Sequence, residues 1–188
     1  MRARTVVALL SLAVGGALFG SGLWIQAKAV VAQGLLEFAW SQTVVSGKPF
    51  KPWPWADHWP VARLLFSGQD EDYIVLRGDS GSSLAFAPGW NIQSAAPGES
   101  GVMMISAHRD THFRVLERVD VGDEITLINS RGRGDLYRVV ALDVVDSRDG
   151  QIFSDDRISQ LLLVTCYPFN ALSSGGPLRY VVRAEMVM

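Results

Sequence analysis

The sequence predicts a mainly β domain: a closed or nearly closed barrel of seven or eight short strands, with a two-sheet sandwich as the alternative. An N-terminal membrane-spanning helix precedes it. Three observations predict this. An uncharged run extends over Thr5–Ile25, a proline- and tryptophan-rich stretch follows residue 46, and β-rich runs separated by turn residues begin at Val61. The organisation that follows is an anchor over 1–26, a juxtamembrane helix and Pro/Trp linker over 27–54, and one domain over 55–188.

The anchor comes first in the chain. Arg2 and Arg4 precede the 21 uncharged residues of Thr5–Ile25, which as a helix span roughly 30 Å, the thickness of a bilayer core. Trp24 stands where an interfacial aromatic belongs. The small residues of Ala27–Ala29 resemble a signal-peptidase site, but signal h-regions usually run only about 7–15 residues. The length therefore favours an uncleaved single-pass anchor in the cytoplasmic membrane over a cleaved signal. Arginines stay on the cytoplasmic side, so either reading sends the domain to the periplasmic or extracytoplasmic face.

Residues 27–42 have helix-forming composition and continue the anchor or lie near the membrane surface. Pro49, Pro52, Pro54 and Pro60 then alternate with Trp53, Trp55 and Trp59, a density of proline that excludes regular helix and central strand. The tryptophans predict an arm docked on the domain. Beyond it, strand-forming runs cover 61–66, 72–77, 101–107, 124–128, 136–145, 161–165 and 178–188, with Gly, Asp, Asn and Ser between them. Residues 107–118 and 154–160 read as short helical turns.

Composition excludes several functions. A net charge of -2 supplies no basic stripe for nucleic acid. One cysteine makes no internal disulfide, and three histidines are too few and too scattered for a multi-histidine metal cage.

Residues able to do chemistry stand at strand ends. The single thiol, Cys166, closes the apolar run "LLLVTC" before "YPFN" breaks the strand. A thiol acts as a nucleophile only as thiolate, in an accessible and electropositive place, and a strand end supplies the access. The bland reading is a small buried hydrophobe. His108 ends the apolar run "MMISAH" in the same way, and Arg179 opens the last strand thirteen positions after the cysteine. Their bland readings are a turn-capping histidine and a solvated strand arginine. Together the three suggest a nucleophile, an acid/base and a fixed positive charge at one end of a sheet.

"LLLVTC" with an arginine thirteen residues on resembles the sortase signature, a T-L-x-T-C stretch ahead of an arginine. "GVMMISAHRDTHFRVLERVDVGDEI" is similar to the sortase histidine segment, in which a strand ending A-G-H leads to a "THF" helix and a "GD" turn. The likeness covers residues 55–188. "WPWADHWPVARL", "SLAFAPG", "TCYPF" and "GGPLRYVVRAE" resemble the proteobacterial branch, class GN. Ala107 departs from the usual glycine before the histidine, and Val164 fills the motif's variable position.

The resemblance implies an eight-stranded barrel, with Cys166 as nucleophile, His108 as general acid/base and Arg179 as oxyanion or substrate stabiliser. Thr165 and Leu178 are expected to line the substrate groove. It also implies an exported protein with an LPxTG-like C-terminal sorting signal as substrate, an amine as acceptor, and no metal or other cofactor. Hydrolysis of the same signal by an endopeptidase and a non-enzymatic peptide-binding barrel are the alternatives. His108 and His112 share a helical metal-pair spacing, but the glutamate of H-E-x-x-H is missing. His112 is expected to support the histidine loop, and Asp110 to bond backbone or an arginine.

Overall fold

The computed structural model describes residues 2–148, 158–171 and 175–187. Helix α1 runs unbroken over Arg2–Ser46, so the stretch 27–42 is a continuation of the apolar run rather than a second element. Its two halves differ in what their side chains meet. Between Val6 and Trp24 the large apolar side chains are exposed all round, and the helix is long and apolar enough to cross a membrane. Further on, Ala32, Leu36, Ala39 and Trp40 are buried, three or four residues apart, which makes one helical stripe. Leu36 and Trp40 pack with Ile74, Leu76 and Ala87 of the domain. Full burial of a leucine such as Leu36 stabilises the docking by about 1.5–3 kcal/mol. The helix stops at Gly47, whose φ of +67° and N–H bond to the Thr43 carbonyl at 2.9 Å form a left-handed cap.

The Pro/Trp arm then crosses back over the domain. Trp53 meets Phe86 at 5.0 Å between ring centroids, and the Arg77 guanidinium lies 5.0 Å from the Trp59 ring. Trp55 differs from the expectation that the tryptophans dock, for it is 83% exposed.

Eight strands form a closed barrel: β1 (Pro60–Phe66), β2 (Glu71–Arg77), β3 (Gly89–Trp90), β4 (Val102–Ser106), β5 (Glu124–Asn129), β6 (Gly134–Asp146), β7 (Gln160–Cys166) and β8 (Leu178–Met186). Their order around the barrel is β1-β2-β3-β4-β7-β8-β6-β5. Pairing of β1 with β5 completes the circle and excludes the sandwich. Each run read from the sequence is a strand; the eighth, β3, is two residues long and joins β2 to β4. Along β1, β4 and β5 buried and partly exposed residues alternate, the signature of a sheet with one face on a core. Phe66, Ile105, Leu127, Tyr137, Leu163 and Val182 belong to that core.

Residues 107–118 do contain a helical turn: a 3₁₀ segment over His112–Arg118 whose Phe113, Val115 and Leu116 are buried in the core. Of the turn expected over 154–160, residues 154–157 lie outside the described residues, and Gln160 opens β7.

Candidate active site

The pairing of two strands sets the site. β4 and β7 run parallel and adjacent, with Ser106 beside Val164, so both chains leave the barrel at the same rim. The Ala107 N–H still bonds the Val164 carbonyl at 3.2 Å. Continued two residues, this register brings His108 level with Cys166. On the other side of β7, antiparallel β8 sets Arg179 directly opposite Cys166. Directly opposed residues share a face, so thiol and guanidinium project to the same side. Successive strand residues alternate faces, which assigns Cys166 to the face of Leu162 and Val164. Those two pack with Val181 into a separate apolar cluster. The site therefore lies at the rim on the outer face, with Val164 of that cluster in its lining.

A cavity of about 270 Å³ opens there, and its lining includes Asp79, His108, Cys166 and Arg179. His108 is exposed and Cys166 half-buried, so the sulfur is accessible while its backbone is held in the ladder. Arg179 Nη1 donates to the carbonyls of Gly176 at 2.7 Å and Leu178 at 2.9 Å. Those bonds orient the guanidinium. Asp146, opposite Leu178 on β6, is held down to about 2, first by hydrogen bonding from Arg148, with the Arg179 charge a smaller contribution.

The two expected groove residues behave differently. Thr165 borders the cavity, but its side chain is 2% exposed and its hydroxyl donates to the Ala107 carbonyl at 2.7 Å. Thr165 thus ties the end of β7 to the end of β4, one residue short of each rim group. Leu178 does not line this cavity; its carbonyl accepts from Arg179 and from the Tyr167 N–H.

His112 supports the histidine loop. Its ring stands edge-on to Tyr73 at 5.8 Å, and Nδ1 lies 3.3 Å from the Thr111 hydroxyl. Burial, and then the charge of His108, hold its pKa below the ordinary histidine value. Asp110 accepts from Arg109 Nε at 3.3 Å.

Two residues escaped the sequence reading. Arg109, only 6% exposed, donates through Nη1 to the Pro168 carbonyl at 2.8 Å and through Nη2 to the Ala171 carbonyl at 2.9 Å. It ties the segment after His108 to the segment after Cys166. Tyr167, Phe169 and Tyr180 brace that second segment with ring centroids 5.1–6.2 Å apart. The second residue is Asp79, just past the end of β2. Gly78 before it has φ +86°. A Cβ on Gly89 would lie 2.3 Å from the Gly78 carbonyl oxygen and 2.8 Å from Asp79 Cα, so only glycine admits this approach. The available signal was positional: Asp79, like His108 and Cys166, follows an apolar strand.

A larger cavity, about 680 Å³, lies between α1 and the arm and includes Trp24, Leu35, Trp53, Trp55 and Phe86 in its lining. The thiol does not border it; His108, Cys166 and Arg179 all line the smaller cavity.

Comparison with known proteins gives a consistent answer. The family model described as the sortase domain matches residues 67–187. Sortase D of Bacillus subtilis (strain 168) is 32% identical over 114 residues, 60% of this chain, and the match spans 57% of that relative's length. Sortase A from Corynebacterium diphtheriae superposes with a TM-score of 0.63 at 24% identity, covering 85% of each chain. A sortase D5 transpeptidase of Clostridium perfringens gives a TM-score of 0.66 at 20% identity, covering 85% of this chain and 99% of its own. At those identities the structural likeness is one of fold.

Proposed function

The chain belongs to the sortase family, and from that premise we propose that it is a membrane-anchored cysteine transpeptidase. It cleaves an LPxTG-like C-terminal sorting signal on an exported protein and passes the new carboxyl end to an amine at the cell envelope. One observation carries the reading: Cys166 and Arg179 stand opposite each other in the β7–β8 ladder, His108 follows β4 on the other side of β7, and all three line one cavity.

The chemistry follows from what each group can do. The Cys166 thiolate attacks the amide carbonyl carbon after the signal's threonine; a C–S bond forms and negative charge moves to the oxygen. A guanidinium is a fixed positive charge, and Arg179 stands opposite Cys166 in the β7–β8 ladder, so it stabilises that oxyanion or holds the peptide in place. An amide nitrogen leaves poorly as an anion, so the His108 imidazolium protonates it as the C–N bond breaks. In the second half the incoming amine attacks the thioester carbon. His108 takes a proton from the amine, the C–S bond breaks, and the amide product departs. The α1 helix retains the domain at the membrane with its N-terminus inside. Enzyme and membrane-held substrate then share a surface, which raises their effective concentration.

Incubation of the full chain with a peptide bearing an LPxTG-like signal, followed by mass spectrometry, tests this. A thioester on Cys166 is expected, and Cys166→Ala abolishes it. Product in the presence and absence of hydroxylamine or a glycine peptide separates transfer from hydrolysis. No acyl-enzyme with any such peptide, together with full cellular activity in Cys166→Ala, would leave only a peptide-binding barrel.

A further inference from the structure

We propose that Asp79 is the seat for the amine acceptor: it receives the acceptor as a protonated primary amine and positions it against the thioester. The inference rests on the transpeptidase reading and adds the charge of the second substrate to it.

The cavity's other ionisable groups make the case. An alkylamine with a pKa like that of lysine, about 10.4, reaches the enzyme as a cation at neutral pH. Arg179 in the cavity lining is also a permanent cation, and His108 becomes one when it carries its proton. An ammonium entering that cavity is repelled unless a carboxylate offsets the repulsion. Among the described residues that line it, Asp79 is the sole carboxylate.

Its placement is built rather than incidental. Gly78 and Gly89 allow the close backbone approach described above, and the Gly78 N–H bonds the Trp90 carbonyl at 3.0 Å. Asn91 Nδ2 donates to Asp79 Oδ2 at 3.0 Å. The Asn91 amide is itself fixed, because its Oδ1 accepts the Gln93 N–H at 2.9 Å and leaves Nδ2 to face the carboxylate. Among the described residues no Lys, Arg or His side chain pairs with either Asp79 oxygen. The carboxylate is half-buried, so water screens an ion pair there less than on an open surface.

The step balances. Two protons leave the arriving ammonium: the neutral imidazole of His108 takes one, and the other restores the Cys166 thiol. The nitrogen's freed electron pair forms the new C–N bond while the C–S bond breaks, and the single positive charge passes from the acceptor to His108.

The experiment uses the full chain in detergent micelles with an LPxTG-like peptide and two acceptors: n-butylamine, a cation at neutral pH, and hydroxylamine, which is largely neutral there. In Asp79→Asn the half-saturating concentration of butylamine is expected to rise about tenfold. Acyl-enzyme formation, hydrolysis and hydroxylamine transfer stay within about twofold of the parent. Asp79→Glu restores much of the butylamine affinity, and added salt weakens butylamine saturation in the parent but not in Asp79→Asn. Unchanged butylamine saturation in Asp79→Asn overturns the inference, as does an equal loss with both acceptors or a slowed acylation step. A parent chain that forms no acyl-enzyme overturns the transpeptidase reading, and this inference with it.

Discussion

Replacing Arg109 by alanine tests whether a buried cation holds the two rim segments together. The guanidinium donates to the Pro168 and Ala171 carbonyls at 2.8 and 2.9 Å. A hydrogen bond from a charged donor contributes about 1.5–3 kcal/mol. Pro168 is exposed and Ala171 half-buried, so water can take the place of the guanidinium at both carbonyls and the lower figure applies, about 3 kcal/mol for the pair. The Asp110 contact involves an exposed carboxylate and contributes less than about 1 kcal/mol. With a urea dependence of about 2 kcal/mol/M for a domain of this size, the unfolding midpoint falls by about 1.5 M. Fluorescence-monitored urea unfolding of the full chain in micelles reads this shift. Lysine, a compact ammonium in place of a planar fork, reaches one carbonyl but not both, so Arg109→Lys recovers about half. Acylation of Cys166 slows in both variants, more in Arg109→Ala, because the segment after the thiol is released. A midpoint shift below about 0.5 M in Arg109→Ala, with unchanged acylation, would refute the reasoning.

Other outcomes follow from the same geometry. Arg179→Ala lowers the rate of acyl-enzyme formation by about 10²–10³, the usual cost of one oxyanion donor, and Arg179→Lys restores only part of it; pre-steady-state mass spectrometry reads both. Because burial and the His108 charge hold the His112 pKa below 6.5, the unfolded chain binds more protons than the folded one as pH falls through 6.5. Stability is therefore full above that pH and declines below it, and His112→Phe flattens this part of a stability-versus-pH profile. Gly89→Ala forces its methyl against backbone at 2.3 Å; it costs about 1–3 kcal/mol in thermal or urea unfolding, and transfer to amines suffers as Asp79 shifts.

Much of this architecture was legible because a strand announces itself locally. Apolar and β-branched runs such as Leu161–Val164 carry the period of their own element, and cross-strand pairing adds no new sequence requirement beyond a turn. The strand-end positions of His108, Cys166 and Arg179 were visible for the same reason. β3 was not, because two residues hold no period; Gly89–Trp90 is a strand only through its neighbours β2 and β4. Trp55 was misread because an aromatic side chain signals burial by composition alone, while the turn of the arm decides which ring faces inward. Thr165 shows the effect of parity. It adjoins Cys166 in sequence, but alternation sends its hydroxyl to the Ala107 carbonyl. Arg109 and Asp79 depend on contacts with segments about sixty and twelve residues away, and no local pattern encodes such meetings.

The unbroken course of α1 has a mechanical meaning. A flexible tether would let the barrel sweep a hemisphere above the bilayer. Here the last 21 residues of the rod, 26–46, rise about 30 Å and are bolted to the domain through Leu36 and Trp40. In the membrane-anchored form proposed above, the cleft is thereby left to swivel about the rod's axis at one altitude. Under the function proposed above, a client protein would present its recognition peptide at that height. Spacing between its own tail and its cleavage point would then act as a ruler alongside its sequence.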